Sequence, residues 1–190
     1  MPGCANLGWM YASGRGVEKD PDQALTLLRK ACDGGELDGC EDLGSMYEKG
    51  DGVEKDAIQA AELYRRACDG GQMLGCSNLG AMVQIGAGLD KDVNLAVSLF
   101  RKSCDGGDAT GCRNLGVNYE EGLGVEKNLV QSVSYYLKAC NGGDMLGCSY
   151  LGDMYKNGLG VKVDTRLANG YFHKACDGGI DEACTRLKPH

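Results

Sequence analysis

A ten-residue segment that recurs every 36 residues constrains the fold of this chain more than any other feature. In its first complete copy, residues 31–40, two cysteines lie eight residues apart, a Gly-Gly pair follows the first cysteine, and a small residue precedes the second. Later copies keep this spacing without insertion or deletion, with the cysteine pairs Cys68 and Cys76, Cys104 and Cys112, Cys140 and Cys148, and Cys176 and Cys184. A fixed period of this length is typical of proteins built from stacked structural repeats.

The residues between these segments predict two helices in each period. Helix A, predicted over residues 37–49 in the clearest copy, has one apolar face and ends at a Gly-x-Gly sequence whose first glycine can adopt positive φ. Helix B begins after an Asp or Asn that can accept hydrogen bonds from first-turn amides. These N-cap residues are Asp20, Asp56, Asp92, Asn128 and Asp164. Glutamine three residues later predicts capping boxes in three repeats, at Gln23, Gln59 and Gln131.

A further glycine recurs inside helix A, where it costs roughly 1 kcal/mol relative to alanine. It is present in every copy, at Gly8, Gly44, Gly80, Gly116 and Gly152. A cost repeated in this way predicts that another helix crosses helix A closely at the glycine.

Two antiparallel helices per 36 residues, joined by short glycine turns, predict an all-α protein whose repeats stack into an α/α solenoid. We assign residues 1–190 to a single solenoid of five repeats and a C-terminal half repeat, with approximate boundaries 1–35, 36–71, 72–107, 108–143, 144–179 and 180–190. The chain enters a repeat directly at Met1-Pro2-Gly3-Cys4, and the sequence contains no signal peptide. We therefore expect a truncated start, with an export signal and room for further repeats upstream.

Composition and charge narrow the classes of partner. The net charge is −7, and basic residues are interleaved with acidic ones, which argues against nucleic acid and against an anionic membrane as partners. Eleven cysteines occur with two histidines and without C-x2-C spacing, so we expect neither a metal nor another cofactor. Periodic cysteine pairs instead favour disulfides and hence an oxidising compartment, which means a secreted or periplasmic protein.

The repeat pattern A-x-x-L/Y-Y/F-x-K/R-A-C-D-G-G-x-x-x-G-C-x-x-L-G-x-M-Y-x-x-G-x-G-V resembles the Sel1-like repeat, a relative of the tetratricopeptide repeat (TPR). Its paired cysteines are similar to those of the cysteine-rich Sel1-repeat proteins of Helicobacter and its relatives, the Hcp family. This resemblance implies an exported right-handed α/α superhelix of helix-turn-helix repeats, each with one disulfide. It also implies two functions described for such proteins, which are protein interaction as an adaptor and penicillin binding with weak β-lactamase activity.

Two regular cysteine connectivities remain open. In the local one, each cysteine bonds to the cysteine eight residues away, and Cys4 is a free thiol. In the other, Cys4 bonds to Cys32 and the same step repeats along the chain, so that Cys184 is free. We favour the local pairing of Cys32 with Cys40 and its periodic equivalents, because Cys4 would then only lack a partner upstream. Each short bridge should stabilise the fold by roughly 2 to 3 kcal/mol.

Catalytic chemistry has little basis in the sequence. A serine β-lactamase needs Ser-x-x-Lys, and the nearest match, Ser98-Leu99-Phe100-Arg101, ends in an arginine that cannot act as a base. The Lys156-Asn157-Gly158 sequence, which is similar to a K-T-G element, is the periodic end of helix A. His173 aligns with arginines of other repeats and is expected on the surface. We therefore assign no catalytic residue.

Binding is the function that a stack of repeats favours, because it presents an extended surface. In tetratricopeptide folds, which the repeat resembles, helix A lines the concave face. Two columns of non-core positions on helix A are our candidates for binding: Asn6, Asp42, Asn78, Asn114 and Tyr150, and, one turn on, Trp9, Ser45, Ala81, Val117 and Asp153. Asparagine amides both donate and accept hydrogen bonds, so they could hold an extended peptide. The alternative is that these columns face a neighbouring helix or bulk solvent.

The sequence thus predicts an exported, disulfide-stapled, monomeric scaffold that binds a peptide or protein segment on the concave face. The alternative, implied by the resemblance alone, is a β-lactam hydrolase whose ligand is a β-lactam or a peptidoglycan-like compound. A third interpretation is a purely structural spacer.

Overall fold

The computed structural model describes residues 3–187, and all regular secondary structure in that range is α-helical. The helices are, in chain order, α1 (Cys4–Ser13), α2 (Pro21–Asp33), α3 (Leu37–Lys49), α4 (Ala57–Asp69), α5 (Met73–Ile85), α6 (Val93–Asp105), α7 (Ala109–Glu121), α8 (Leu129–Asn141), α9 (Met145–Asn157), α10 (Thr165–Asp177) and α11 (Asp181–Arg186). Odd-numbered helices are the predicted A helices and even-numbered ones the B helices, which confirms the all-α repeat architecture. Residues 188–190 of the predicted half repeat lie outside the described range, as do residues 1 and 2.

The helix ends follow the predicted periodic residues, with one correction. Each Gly-x-Gly stops an A helix with its first glycine in the left-handed region, as at Gly50 with φ of 76°, and Asp56 caps α4 by accepting from the amides of Ile58 and Gln59. Only half of each predicted capping box forms: the N-cap side chain accepts from the backbone amide of the glutamine, but the N-cap backbone amide donates to a carbonyl of the preceding A helix and not to the glutamine side chain. Asp20 N donates to Tyr11 O at 3.0 Å, and the main-chain pairs Asp56 to Tyr47 and Asn128 to Tyr119 repeat this bond.

The recurring glycine of the A helix lies where a B-helix side chain crosses, as predicted, at Gly8, Gly44, Gly116 and Gly152. A Cβ built on Gly44 would come within 2.9 Å of the Tyr64 ring, and one on Gly152 within 2.6 Å of the Phe172 ring. Real Cβ atoms do not approach other atoms so closely, so glycine is needed for the antiparallel pair to pack. Tyr64 and Phe172 are nearly fully buried as a result.

The chain divides into two compact units, one ending at Ala96 and one beginning at Val97, with the division inside α6. In the first unit, a core cluster joins B and A helices through Ala24, Leu28, Leu43 and Met46. In the second unit, the corresponding positions contribute Tyr136, Leu151, Met154 and Phe172. Each unit therefore buries the seam between its own stacked helices.

Every copy of the ten-residue segment contains a disulfide. The bonds join Cys32–Cys40, Cys68–Cys76, Cys104–Cys112, Cys140–Cys148 and Cys176–Cys184. The local connectivity is therefore the one present, and it ties the last turn of each B helix to the first turn of the next A helix. Within residues 3–187, Cys4 is the cysteine outside a disulfide, and it is partly buried.

Basic residues near the ends of B helices brace one repeat against the preceding one. Arg66 Nη2 donates to the carbonyl oxygen of Cys32, and Lys174 Nζ donates to that of Cys140 at 2.9 Å. A cation at these carbonyls also interacts favourably with the negative end of the helix dipole. A basic residue at this position therefore connects its B helix to the B helix of the preceding repeat.

Candidate docking clefts between A helices

The predicted binding columns lie on the accessible side of the A helices. None of the candidates is fully buried: Asn6 and Trp9 are exposed, and Asp42, Ser45, Asn78, Asn114, Tyr150 and Asp153 are partly buried. Trp9 exposes 40% of its surface, although it is the largest side chain of the set. Consecutive A helices approach one another along these columns and leave a cleft in each unit.

In the first unit, a cleft of about 340 Å³ lies between α1 and α3, and we call it cleft 1. Trp9 and Ser13 line it from α1, and Asp42, Ser45 and Lys49 line it from α3. Three of the predicted site residues, Trp9, Asp42 and Ser45, are therefore brought together. Cleft 1 also contains an acidic residue outside the predicted columns, Glu41.

In the second unit, a cleft of about 310 Å³ lies between α7 and α9 and is called cleft 2. Val117 and Glu120 line it from α7, and Tyr150 and Asp153 from α9. The Tyr150 ring packs on the ring of Tyr136 with centroids 5.3 Å apart. The predicted residues Tyr150 and Asp153 thus share one cleft, of the same kind as cleft 1.

The three asparagines of the first column are not part of these clefts. Asn6 lines a separate hollow beside Glu36 and residues 70–72. Asn78 Nδ2 donates to Glu41 Oε1 at 2.9 Å, and Asn114 Oδ1 accepts from Arg113 Nη1 at 2.8 Å. Part of the hydrogen-bonding capacity of Asn78 and Asn114 is therefore used inside the chain.

The carboxylates of cleft 1 lie in a partly buried environment next to other acids, which disfavours their charged forms. Burial, followed by the charge of Asp42, raises the pKa of Glu41 to about 7. Burial, followed by the charge of Asp38, raises the pKa of Asp42 to about 6. Lys49 opposes both shifts. Glu41 was missed as a site residue, and its signal in the sequence is that the equivalent positions of the other four repeats hold no acid, namely Ala5, Ser77, Arg113 and Ser149.

Two buried tyrosines of B helices orient glutamates of the adjacent A helix. Tyr64 Oη donates to Glu48 Oε2 at 2.7 Å, and Tyr136 Oη donates to Glu120 Oε2 at 2.6 Å. Burial, and then the bond to the glutamate, raises the pKa of each phenol above its usual range.

Sequence reasoning missed these pairs, although the repeats contain their signal. Tyrosine occupies this B-helix position only in the two repeats with glutamate at the facing A-helix position. The five combinations are Ala12 with Leu28, Glu48 with Tyr64, Gln84 with Phe100, Glu120 with Tyr136, and Lys156 with Phe172.

The Sel1 repeat profile matches this chain five times, over residues 2–36, 37–72, 74–108, 109–144 and 146–180. The chain belongs to the Sel1 repeat family. Sel1 repeat proteins form α/α solenoids and typically act as non-enzymatic scaffolds for protein interaction. The resemblance in the sequence is therefore confirmed, and so is the solenoid of 36-residue repeats with one disulfide each.

Solved Sel1 repeat structures resemble this protein over most of its length. A protective antigen of uropathogenic Escherichia coli with this fold is 33% identical to this chain, with a TM-score of 0.81. The matched region covers 98% of this chain and 40% of the antigen. A Sel1 repeat protein from Oxalobacter formigenes is 29% identical with a TM-score of 0.88, covering 97% and 75%. Cysteine-rich protein B of Helicobacter pylori is 36% identical with a TM-score of 0.58, covering 71% and 97%. This chain thus spans less than half of the E. coli antigen. A search of curated protein sequences gave no significant match.

Three further features concern metal binding, the histidine of α10 and the membrane. Over residues 3–187, His, Cys, Asp and Glu side chains do not assemble into a group of three or more that could hold a metal ion. His173 is exposed on α10. Among the described helices, none combines the length and apolar character needed to cross a bilayer.

Proposed function

We propose that this Sel1 repeat protein is an extracytoplasmic scaffold that holds a polypeptide segment of a partner protein in the clefts between consecutive A helices. The observation that supports this most strongly is that a cleft of similar size occurs in each unit at the same kind of junction. Helix A supplies most of the side chains of both clefts, at positions whose identity varies from repeat to repeat.

The dimensions and lining of the clefts suit single side chains of an extended segment. Their volumes lie at the lower end of the range for ligand pockets. Each contains an aromatic residue together with carboxylates, Trp9 with Asp42 in cleft 1 and Tyr150 with Asp153 in cleft 2. Aromatic anchors of this kind contribute strongly to protein interfaces.

The disulfides support a location outside the cytoplasm. Bonds of this type persist in oxidising compartments and are rare where glutathione and thioredoxin keep thiols reduced. Five bridges in one chain therefore favour a secreted or periplasmic protein. The β-lactam hydrolase alternative has no support in the clefts or in the solved relatives, and we do not propose it.

A peptide-display selection on the oxidised protein tests the proposal. Peptides that are enriched should lose binding to S45W or V117W, which fill cleft 1 and cleft 2. They should keep binding to Q59W and S134W, which add the same bulk to exposed positions of α4 and α8. An absence of enrichment, or peptides that bind all four variants equally, would contradict docking in the clefts. Nitrocefin turnover that resists purification and is lost on a single substitution would support the hydrolase instead.

A further inference from the structure

The chain compensates the negative charges of cleft 1 only in part: Lys49 favours the charged forms of Glu41 and Asp42, but it forms no ion pair with either of them. Asp42 has neither a hydrogen bond nor an ion pair with any residue in the described range, and Glu41 accepts its hydrogen bond from the neutral amide of Asn78. The lining cation, Lys49, forms no ion pair with a described residue and is exposed at the end of α3. Asp51, at the rim, is paired outside the cleft with Lys19 at 2.8 Å.

Such an arrangement is costly unless a cation is supplied. A charged carboxylate that is removed from water is less stable than one that is hydrated, and two neighbouring charged carboxylates repel each other. The raised pKa values of Glu41 and Asp42 report the same cost, with burial as the first cause and a neighbouring acid on α3 as the second, Asp42 for Glu41 and Asp38 for Asp42. The facing groups from other helices are neutral, namely Asn78 of α5 and Trp9 of α1.

An aromatic wall opposite the acids is the second, independent feature of cleft 1. Trp9 lines the cleft from α1 and is largely accessible. Its ring already attracts one cation, because the Arg15 guanidinium carbon lies 5.2 Å from the ring centroid. Indole rings also pack well against the aliphatic stems of lysine and arginine.

Cleft 2 differs in the way its charges are compensated. Asp153 pairs with Arg186 at 3.3 Å. Glu120 accepts the hydrogen bond of the neutral Tyr136 phenol, and the third acid of this cleft, Glu121, is exposed. Val117 and Tyr150 provide the apolar lining. Two adjacent, partly buried carboxylates without an ion pair to a described residue are therefore a feature of cleft 1, whereas an arginine of the chain compensates Asp153 in cleft 2.

Building on the proposed function, we propose that cleft 1 takes a lysine or arginine side chain of the partner segment. The cationic group pairs with Glu41 and Asp42, and the aliphatic stem packs toward Trp9. The partner is thus a protein with a basic residue in an accessible extended segment, and cleft 1 discriminates against segments that place an acidic residue there.

The protein provides its own probe for this test, since Trp9 is its single tryptophan. We would titrate the oxidised protein at pH 8 with capped nonapeptides of alternating alanine and serine that carry arginine, citrulline, norleucine or glutamate at the centre. The arginine peptide should change the Trp9 fluorescence saturably. The citrulline peptide, its neutral isostere, should bind about tenfold more weakly or worse, as expected when a buried charge pair is lost.

Variants separate the charge of cleft 1 from general effects. Neutralising cleft 1 with E41Q and D42N together should abolish the preference for arginine over citrulline, whereas E54Q, at an exposed carboxylate that lines neither cleft, should leave it intact. Equal binding of the arginine and citrulline peptides, or an unchanged preference in the double variant, would overturn the proposal.

The outcome also distinguishes this inference from the proposed function. If the display-selected peptides bind the clefts but contain no basic residue and ignore E41Q/D42N, the charge inference fails and peptide docking stands. If S45W and V117W affect no peptide, both fail together.

Discussion

A few residues give individual repeats a chemistry that the repeat pattern does not contain. Glu41 occupies a position at which the other four repeats have alanine, serine or arginine, and it lies beside Asp42 in cleft 1. Tyr64 and Tyr136 add a hydroxyl to a core position that other repeats fill with leucine or phenylalanine. The two tyrosine hydroxyls donate to glutamates of the adjacent A helix, Glu48 and Glu120.

Glu41 should make the stability of the protein depend on pH. Its pKa is raised from 4.5 to about 7, mainly by burial, so the folded state binds a proton more tightly than the unfolded state. The stabilising effect of that proton is complete below pH 4.5 and is lost as the pH rises through about 7. We expect E41Q to raise the melting temperature at pH 8 and to leave it nearly unchanged at pH 4.

Thermal unfolding at both pH values, followed by circular dichroism, checks this expectation. E54Q is the matched control, because Glu54 is an exposed carboxylate in the loop after the same helix. Equal effects of E41Q at pH 4 and pH 8 would show that the carboxylate is not held in a destabilising setting.

At the scale of the helices, the contact between a glycine and an aromatic ring sets the packing of three A and B pairs. Gly152 lies in α9 against the Phe172 ring of α10, and the same crossing recurs at Gly44 and Tyr64 and at Gly116 and Tyr136. A large ring on helix B and no side chain on helix A are complementary. Both are needed for the two helices to approach.

Two glycine substitutions in the last helix pair should therefore have opposite signs. G152A forces a Cβ to within 2.6 Å of Phe172, and overpacking of this kind costs about 1 to 3 kcal/mol. G170A adds a methyl group to α10 at an exposed position with no atom within 4 Å, and should stabilise by about 1 kcal/mol through helix propensity.

Urea unfolding of the oxidised protein measures both changes. G170A is the control for G152A, because it makes the same chemical change in the partner helix of the pair. A neutral or stabilising G152A would mean that the helices can separate without cost, and that the recurring glycine has another explanation.

At the scale of the whole molecule, the disulfides are the largest covalent constraint. Each closes a short loop and should stabilise by roughly 2 to 3 kcal/mol. Together the five bridges are comparable with the roughly 5 to 15 kcal/mol by which ordinary domains are stable. The fold should therefore depend strongly on oxidation.

We expect strong reductant to lower the melting temperature substantially, or to unfold the protein at room temperature. Thiol titration of unreduced protein in denaturant should find one reactive group per chain, that of Cys4. An unchanged melting curve in reductant would contradict a stabilising role, and eleven titrated thiols would contradict the disulfides altogether.

The repeat period alone determined most of the architecture. Residues 36 apart occupy equivalent environments, so glycines that end A helices, Asp56 and its equivalents as caps, and Gly44 as a crossing point could be assigned from their recurrence. These features are local, because each depends on backbone conformation or on the neighbouring helix. The two columns of accessible A-helix residues followed from the same periodicity.

The tertiary structure decided what happens between helices. It selected the local disulfides over an equally regular alternative, and it used the Asp20 amide for a bond to Tyr11, so that only half of the capping box forms. It also placed Asp42 and Trp9 in one cleft while Asn78 turned to Glu41. Periodicity shows which residues share a face, but burial, charge and hydrogen bonding depend on the distances between residues of different helices, and those are set only when the repeats stack.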